Sequence, residues 1–316
     1  DLTPDEENSR VWLPLYHITG FVHTALQPLA RGGTLYIRSA ANWDAKEAMA
    51  TIEREKISSF IGVTAMYADM VDDDSFGDYD LSSLVTASEG GAKLTGAVQD
   101  AFEETAGVAI KEGYGLTETT GSTHTQVGSL YGPRHGTVGQ PARHTDCRIV
   151  DSNGDEVPLG ETGEILVRGP QVMEGYHNRP KANEQAFTDA GFFRTGDIGR
   201  RDEEGYYEIV DRKKHVIVTA GYNVYPSEVE NLLAEHESVR EAAVVGIPHD
   251  RRNETVKAFV VPANGDPENP GVTADEIQQF SLDNIAPYKH PREVEFVAEL
   301  PRTASGKIQK YKLTDE

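Results

Sequence analysis

The stretch GTLYIRSAANWDAKEAMATIEREKISSFIGV, residues 33–63, decides the fold class of this 316-residue chain. It begins with a short β-like run, after which Ala45, Ala48, Met49 and Ile52 recur at helical spacing. ISSFIGV, at its end, is apolar and contains β-branched residues, as buried strands do. The order strand, helix, strand predicts a mostly parallel sheet that carries helices on its faces.

The same alternation continues to about residue 113. LVTA and VAIKE are predicted as strands, and TGAVQDAFEETA is predicted as a helix. Each of these two strands is followed by a polar, glycine-rich segment, SEGGAKL at 88–94 and GYGLTETTGS at 113–122. Because open α/β sheets bind ligands at the carboxyl ends of their strands, we expect both segments to contribute to a binding site.

Two further patterns follow along the chain. From about residue 131, DCRIVDSNGDEVPLGETGEILVRGP and RRDEEGYYEIV predict the short antiparallel strands of a small, β-barrel-like unit. After DRKK the sequence predicts an α+β unit, with Pro226 near the first turn of a helix and a capping box from Thr273 to Glu276. The predicted fold class is therefore α/β plus α+β. We predict a large domain at 1–210, made of an α/β part (1–130) and a barrel-like part (131–210). A hinge follows at 211–214, and a small mobile domain covers 215–316.

The charge balance bears on the partners of this chain. With 52 acidic and 30 basic residues the net charge is −22, which argues against nucleic acid or an anionic membrane as the main partner. The acidic residues are dispersed, so we expect a solvated acidic surface, suited to a high-salt, halophilic cytoplasm. An acidic enzyme can still bind anions, but its basic residues must then be concentrated at the site.

The remaining composition favours a cytoplasmic protein. The single cysteine, Cys147, excludes an internal disulfide and fits a reducing compartment. No run approaches the roughly 20 apolar residues of a membrane span. The first residues, DLTPDEENSR, do not have the features of a signal peptide. They also lack an initiator Met, so we expect the chain to be a fragment.

The stretch LPRTASGKIQK, residues 300–310, contains a glycine–lysine pair close to the end of the chain. It is not a P-loop, because Pro301 stands where that motif needs its first glycine and Ile308 stands where it needs a hydroxyl. Taken alone, Lys307 is typical of a lysine on a polar surface turn.

Other motifs also have structural alternatives when each is considered alone. Thr117 and Glu118 of YGLTE could cap the next helix, and Asp197 of FRTGD could close a turn. VDRKK could be a solvated charge run, and His17 of PLYHITG could be a structural histidine among apolar neighbours.

The order of the motifs is more informative than any one of them. P-x-x-H-x-x-G, G-G-A, Y-G-x-T-E, G-E-[IL]-x-V-R-G, F-R-T-G-D, D-R-x-K, G-x-N-V-Y-P-x-E-V-E and P-R-T-x-S-G-K follow one another from Pro14 to Lys307. This succession resembles the adenylate-forming superfamily of acyl-CoA synthetases, luciferases and peptide-synthetase adenylation domains. FFRTGDIG and DRKKHVIVTAGYNVYPSEVE look closest to its fatty-acyl- and aryl-CoA ligase branch.

The resemblance implies a two-step reaction with ATP, Mg²⁺ and CoA. A carboxylate attacks the α-phosphate of ATP to give acyl-AMP and pyrophosphate, and the CoA thiol then attacks the acyl carbon and releases AMP. The first step brings two anions to about 3 Å from each other. Lys307 would bridge them, carried by a mobile small domain that inserts the cation for the first step and withdraws it for the second.

The resemblance also implies roles for other residues. Around the nucleotide, Thr117 would bind phosphate, Glu118 would hold Mg²⁺ and His17 would lie near the acyl carboxylate. The residues that would bind the adenine, the ribose or the CoA arm are Gly91, Ala92, Tyr114 and Gly115 (adenine), Asp197 with Arg212 beside it (ribose), and Gly221 (pantetheine). Lys214 would be the hinge residue.

One departure from the family pattern leaves alternatives open. The family's glycine- and Ser/Thr-rich phosphate loop is missing upstream of PLYHITG, so we expect the chain alone to be inactive or nearly so. Besides an acyl-CoA synthetase for a medium- or long-chain fatty acid or an aryl acid, it could be an adenylation domain that loads a carrier protein. It could also be a non-catalytic or split nucleotide- or acyl-binding subunit. The partners expected of the synthetase are a small carboxylic acid, ATP and CoA, with a homodimer as one possible assembly.

Overall fold

Residues 7–38, 43–90, 94–303 and 308–314 are described by the structure, a computed structural model. Contacts between residues divide the chain into two units, one of Asp1–Thr195 with Gly199–Ile209 and the other of Gly196–Ile198 with Val210–Glu316. From Val210 onward the chain belongs to the second unit. The predicted domain limits and the hinge at 211–214 stay predictions.

The first unit contains a seven-stranded sheet. Its strands are β1 (Asn8–Val11), β2 (Thr34–Ile37), β3 (Ser59–Gly62), β4 (Thr86–Gly90), β5 (Ile110–Leu116), β6 (Gly121–Thr125) and β7 (Gln140–Pro141). Their order is β2-β1-β3-β4-β5-β6-β7. The pairs from β2 to β5 are parallel, and β6 and β7 join antiparallel. The predicted mostly parallel sheet is confirmed.

Helices connect these parallel strands. They are a π-helix (Thr19–Leu26) continued by α1 (Gln27–Ala30), then α2 (Ala45–Glu55), α3 (Thr64–Val71), a 3₁₀ turn (Phe76–Asp78) and α4 (Gly96–Ala106). The start of α2 is fixed by Asp44, whose side chain accepts from the Glu47 N–H at 2.8 Å, and its end by Lys56 in the left-handed conformation. The apolar face predicted for this helix is buried against the sheet.

Aromatic side chains fill the core of this sheet. Trp12, Trp43, Phe60, Tyr67 and Phe102 contact one another in succession, with ring centroids 5.1–6.4 Å apart. Most of these contacts are edge-to-face, the arrangement that aromatic quadrupoles favour. The Tyr67 hydroxyl also donates to the main-chain oxygen of Ser88 at 2.9 Å, so the core holds β4 near its carboxyl end.

The strands β4 and β5 extend further than the sequence predicted. β4 begins at Thr86, later than LVTA suggested, and continues into the glycine-rich segment as far as Gly90. β5 continues to Leu116, so Tyr114 and Gly115 lie on a strand and not on the loop after it. Glycine was taken as a sign of a loop, whereas here it permits close strand pairing.

A second sheet has four strands. They are β8 (Asp146–Val150), β9 (Gly163–Arg168), β10 (Phe193–Arg201) and β11 (Tyr207–Arg212), in the order β11-β10-β9-β8, with α5 (Pro180–Ala186) between β9 and β10. β8 and β9 pair antiparallel, as predicted around the S-N-G-D turn. Its core is formed by Ile149, Ile165, Val167, Phe193 and Tyr207.

The second unit carries an α+β arrangement, as predicted. Its elements are the 3₁₀ turn Lys213–His215, β12 (Ile217–Thr219), β13 (Tyr222–Val224), α6 (Pro226–Leu233), β14 (Val239–His249), β15 (Asn253–Pro262), α7 (Ala274–Asn284), β16 (Glu293–Phe296) and the 3₁₀ turn Lys310–Leu313. The sheet order is β13-β12-β15-β14, and β16 pairs with β15.

Two local predictions in this unit are confirmed. Pro226 lies in the first turn of α6. Thr273 and Glu276 form the capping box of α7, with the Glu276 N–H donating to the threonine hydroxyl and the Thr273 N–H donating to the glutamate carboxylate at 2.8 Å. In the part of the chain that the structure describes, no helix is both long and apolar enough to cross a membrane.

Candidate active site

Thr117 and Glu118 lie on a tight turn directly after β5. The turn is a 3₁₀ helix, Thr117–Thr119, in which the Thr119 hydroxyl accepts from the Leu116 N–H at 2.9 Å and donates to the Gly121 carbonyl at 3.0 Å. A strand and not an α-helix follows, so the alternative that Thr117 and Glu118 cap a following helix is wrong. Thr117 is exposed and Glu118 is half-buried, at the end of the parallel part of the sheet.

The Glu118 carboxylate accepts a hydrogen bond from Tyr176, a residue that sequence reasoning missed. The Tyr176 hydroxyl lies 2.9 Å from Glu118 Oε1, across 58 residues of chain. Loss of solvent, together with the hydrogen bond to Glu118, raises the pKa of Tyr176 to about 12, so the phenol remains a donor. No local pattern signals this contact, because Tyr176 lies in a loop far from YGLTE in the sequence.

Tyr114, predicted to stack on adenine, stands on β5 opposite His124 of β6. The two rings are 5.7 Å apart, and His124 lies 4.3 Å from the ring of Tyr207 on its other side. Burial lowers the pKa of His124 to about 3, so this histidine is neutral and serves as a packing support. The half-buried Tyr114 ring therefore packs against His124, which in turn packs against Tyr207.

Gly115 is needed where β5 and β6 approach each other. A Cβ atom at this position would lie 1.4 Å from the carbonyl oxygen of Gly121, and the strand register shifts between Tyr114 and Gly115. Gly91 and Ala92, the other residues predicted to frame adenine, lie outside the described residues.

His17 begins the segment that leads into the π-helix. It is exposed, its Nδ1 accepts from the Thr19 N–H at 3.3 Å, and its carbonyl accepts from Phe21 at 2.9 Å. His23, which the sequence analysis did not single out, is more buried, and its Nε2 lies 3.4 Å from the Ser122 hydroxyl. Burial lowers the pKa of His23. The π-helix thus contacts β6, and π-helical turns frequently occur at functional sites.

In the second unit, Arg212 lies beside Asp197, as the resemblance implied. Its Nε is 2.7 Å from Asp197 Oδ1, and the carboxylate side chain is 2% exposed while that of Arg212 is 46% exposed. Asp197 lies on β10, so the alternative of a simple turn residue is wrong. A buried carboxylate is tolerated when a cation is paired with it, and the pair leaves the guanidinium open to solvent on one side.

Asp211, at the start of DRKK, is a second buried carboxylate. It accepts from the N–H groups of Arg212 at 2.6 Å and Ser227 at 2.8 Å, and His215 lies 3.7 Å away. Burial opposes ionisation, but His215, these N–H groups and Lys310 together hold the pKa of Asp211 below its ordinary value. The neighbouring Lys214, predicted as the hinge residue, is exposed in the 3₁₀ turn. DRKK is thus partly a fixed structure and not only a solvated charge run.

Gly221 occupies a two-residue turn between β12 and β13. Ala220 and Gly221 both have positive φ, of 49° and 85°, and open space surrounds the position of a Cβ at Gly221. The backbone conformation of the turn therefore accounts for the glycine. Tyr222, which follows, stacks on Tyr288 with ring centroids 4.7 Å apart.

Two arginines and a histidine lie near one another, and one of the arginines contacts the same turn. The Ala220 N–H donates to the carbonyl oxygen of Arg252 at 2.8 Å. Burial lowers the pKa values of His290 and Arg292, and the positive charge of Arg252 lowers both further. We call Arg252 and Arg292, with the uncharged His290 beside them, the cationic cluster. Among the described residues, neither Arg252 nor Arg292 forms an ion pair with a carboxylate.

Lys307 lies outside the described residues, but the chain on either side of it is fixed. Arg302 and Ile308 form an isolated β-bridge, and Arg302 also pairs with Glu241. Lys310 Nζ lies 2.7 Å from Glu230 Oε1. These contacts hold both ends of the segment against the second unit.

Comparisons with known proteins identify two regions of the chain. The family described as AMP-binding enzyme matches residues 2–177, more than half of the chain, and the family described as AMP-binding enzyme C-terminal domain matches residues 228–307.

Two curated relatives match over most of the chain. A long-chain-fatty-acid–CoA ligase of Bacillus subtilis (strain 168) is 37% identical over 306 residues, 96% of this chain and 53% of the relative. A feruloyl-CoA synthase of an Amycolatopsis species is 37% identical over 310 residues, 98% of this chain and 61% of the relative. The chain thus spans about half to three fifths of the length of these curated relatives.

Solved structures show the same fold. ATP-bound MatB from Rhodopseudomonas palustris superposes with a TM-score of 0.86 at 31% identity, over 99% of this chain and 60% of that one. The o-succinylbenzoate–CoA synthetase MenE of Bacillus subtilis, in complex with ATP and a magnesium ion, gives 0.84 at 28% identity, over 98% and 61%. The chain therefore belongs to the AMP-binding enzyme family, in agreement with the resemblance read from its ordered motifs.

Proposed function

We propose that this protein is an ATP-dependent carboxylic acid–CoA ligase that forms an acyl-adenylate and then an acyl-CoA. Its acid would be a medium- or long-chain fatty acid or an aryl acid. The names of the two curated relatives, a long-chain-fatty-acid ligase and a feruloyl-CoA synthase, support both kinds of acid. For the second step we favour free CoA over a carrier protein.

The preference for free CoA rests on the cationic cluster at the Gly221 turn. The chain has a net charge of −22, so two neighbouring arginines that form no ion pair with any carboxylate among the described residues support a site for an anion. CoA carries a diphosphate and a 3′-phosphate on its nucleotide, joined to a slender pantetheine arm. The cluster would bind these phosphates, while the turn at Gly221, tied to Arg252 through Ala220, would line the path of the arm.

The adenylation step would use residues from each unit. In the first unit, Tyr114 would stack on adenine, Thr117 would donate to a phosphate oxygen and His17 would lie near the acid. In the second unit, the Asp197 carboxylate would accept from the ribose hydroxyls, its charge kept by the Arg212 guanidinium at 2.7 Å.

Glu118 fits the role of a magnesium ligand. Within the described residues, no three His, Cys, Asp or Glu side chains gather into a metal site. Magnesium nevertheless suits a single half-buried carboxylate, because it usually keeps several waters and takes further oxygens from the nucleotide. When bound, Mg²⁺ would neutralise negative charge on the phosphates.

Lys307 would remove the remaining repulsion between the two reacting anions. A lysine ammonium is a compact charge on a flexible stem, and it would contact the acid carboxylate and an α-phosphate oxygen together.

The direct test uses the purified full-length protein, because the chain alone is expected to be inactive or nearly so. It is given ATP, Mg²⁺, CoA and a panel of fatty and aryl acids, and AMP and acyl-CoA are measured separately. We expect AMP release with at least one acid and formation of its CoA thioester. Absence of AMP with every acid would overturn the proposal, and transfer to a phosphopantetheinylated carrier but not to CoA would replace it with the carrier-loading function.

A second test concerns the cationic cluster. Arg292→Glu should raise the KM for CoA at least about tenfold, because a charge-assisted phosphate contact is lost. Acid-dependent pyrophosphate release should stay unchanged. Arg240→Glu, at an exposed arginine of β14, is the matched control. An unchanged KM for CoA in Arg292→Glu would remove the argument for this acceptor site.

A further inference from the structure

The loop before α5 holds the turn that carries Glu118. The Met173 N–H donates to the main-chain oxygen of Glu118 at 2.8 Å, and the Thr120 hydroxyl donates to the main-chain oxygen of Gln171 at 2.9 Å. Both bonds fix the backbone of the turn. Neither of them orients the Glu118 carboxylate, which is separated from the backbone by three rotatable bonds.

The third contact of this loop does reach the carboxylate. Tyr176 donates its hydroxyl to Glu118 Oε1 at 2.9 Å. Within the described part of the chain, the structure records no hydrogen bond to the other oxygen, Oε2. One oxygen of the carboxylate is therefore held by protein and the other is open to a ligand.

Tyr176 is itself held in place from α5. Its N–H donates to Asn183 Oδ1 at 2.7 Å, and Asn183 Nδ2 donates to its carbonyl oxygen at 3.1 Å. The side-chain amide of Asn183 thus satisfies both main-chain groups of Tyr176. A partly exposed loop tyrosine would not otherwise keep a fixed position.

We infer that Tyr176 is a positioning residue that fixes the Glu118 carboxylate for Mg²⁺, with Asn183 acting behind it. The inference rests on the proposed function, in which Glu118 is the protein ligand of the metal. Partners that orient a metal ligand commonly contribute about 10–100-fold to metal affinity.

The experiment compares Tyr176→Phe with the parent, both as full-length proteins. Mn²⁺ binding in the presence of a non-hydrolysable ATP analogue is followed by electron paramagnetic resonance, without acid or CoA. We expect the variant to bind Mn²⁺ at least about tenfold more weakly, and its half-saturating Mg²⁺ concentration for pyrophosphate release to rise by a similar factor. Tyr131→Phe, which removes a hydroxyl from an exposed tyrosine of the same unit, is the matched control.

A second variant tests the support behind Tyr176. Asn183→Ala should weaken Mn²⁺ binding in the same direction, by a smaller factor. Because Asn183 acts through Tyr176, the double variant should bind Mn²⁺ no more weakly than Tyr176→Phe alone. Additive effects in the double variant would contradict this order of action. Circular dichroism confirms that each variant keeps its fold.

The outcomes separate this inference from the proposed function. If Glu118→Gln leaves Mn²⁺ binding unchanged, or the parent protein does not bind the metal–nucleotide complex, the proposed role of Glu118 fails. If the parent binds and Glu118→Gln does not, while Tyr176→Phe binds as tightly as Tyr131→Phe, the inference about Tyr176 is overturned and the proposed function stands.

Discussion

Replacing Lys310 with methionine should destabilise the second unit markedly. Lys310 Nζ lies 2.7 Å from Glu230 Oε1, and the two side chains are only 14% and 18% exposed. Removing one partner of a fully buried ion pair costs about 3–5 kcal/mol, because the other charge is left in the interior. Here some solvent remains, and the Val244 N–H continues to donate to Glu230 at 2.6 Å. We therefore expect a loss of about 2–3 kcal/mol near neutral pH.

The loss should depend on pH in a defined direction. Burial raises the pKa of Glu230, and the charge of Lys310 opposes that rise. Without the lysine the pKa of Glu230 rises further above its value in the unfolded chain. A carboxyl whose pKa is raised by folding contributes to the free energy of unfolding at low pH. That contribution is lost as the pH rises through the folded-state pKa. The difference between parent and variant should thus be larger at about pH 8 than at about pH 5.

Urea denaturation at both pH values measures this effect. The two tryptophans, Trp12 and Trp43, belong to the first unit, so unfolding of the second unit is followed by far-UV circular dichroism and tyrosine absorbance. Lys312→Met, at an exposed lysine of the same 3₁₀ turn, is the control. Equal unfolding free energies for the Lys310 and Lys312 variants at both pH values would refute the reasoning.

Three other predictions concern the reaction, a buried base and the acidic surface. In the full-length protein, Lys307→Ala should slow acid-dependent pyrophosphate release by at least about a hundredfold and leave thioester formation from supplied acyl-adenylate nearly unchanged. Equal losses in both steps would contradict a role confined to adenylation. His124, whose folded pKa of about 3 lies below its ordinary 6.5, should make the unfolding free energy fall as pH drops below 6.5, and His124→Gln should flatten that fall in a pH series of urea melts. The melting temperature should rise between about 0.1 M and about 2 M KCl, as screening and hydration of the dispersed acids require; a constant value would remove the halophilic interpretation.

The sequence predicted the layered architecture because periodicity reports burial directly. The alternation around residues 33–63 gave β2, α2 and β3, and the capping box from Thr273 to Glu276 marked the start of α7. The wrong predictions concern the ends of β4 and β5, where glycine-containing segments were predicted as loops. A glycine-rich stretch is the same in sequence whether it forms a loop or a close strand pair, and at Gly115 the partner strand decides between them.

The site was predicted unevenly for a related reason. Ordered motifs pointed to Glu118, Asp197 and Arg212, and the last two are an ion pair in the structure. Tyr176 and His23 were missed, because each acts through a contact with a residue far away in the chain. A single sequence contains no signal for such contacts, which arise only when the sheet brings its strands together.

The close approach of β5 and β6 at Gly115 also changes how mutagenesis of this motif should be understood. The Cβ atom of an alanine there would clash with a backbone oxygen. The two strands would therefore have to separate whether or not a nucleotide is bound. An inactive Gly115→Ala protein would report on the spacing of two strands and say nothing about adenine. Evidence for nucleotide contact has to come from side chains that can be changed without moving the backbone, and Tyr114 and Thr117 are two such positions on this strand and turn.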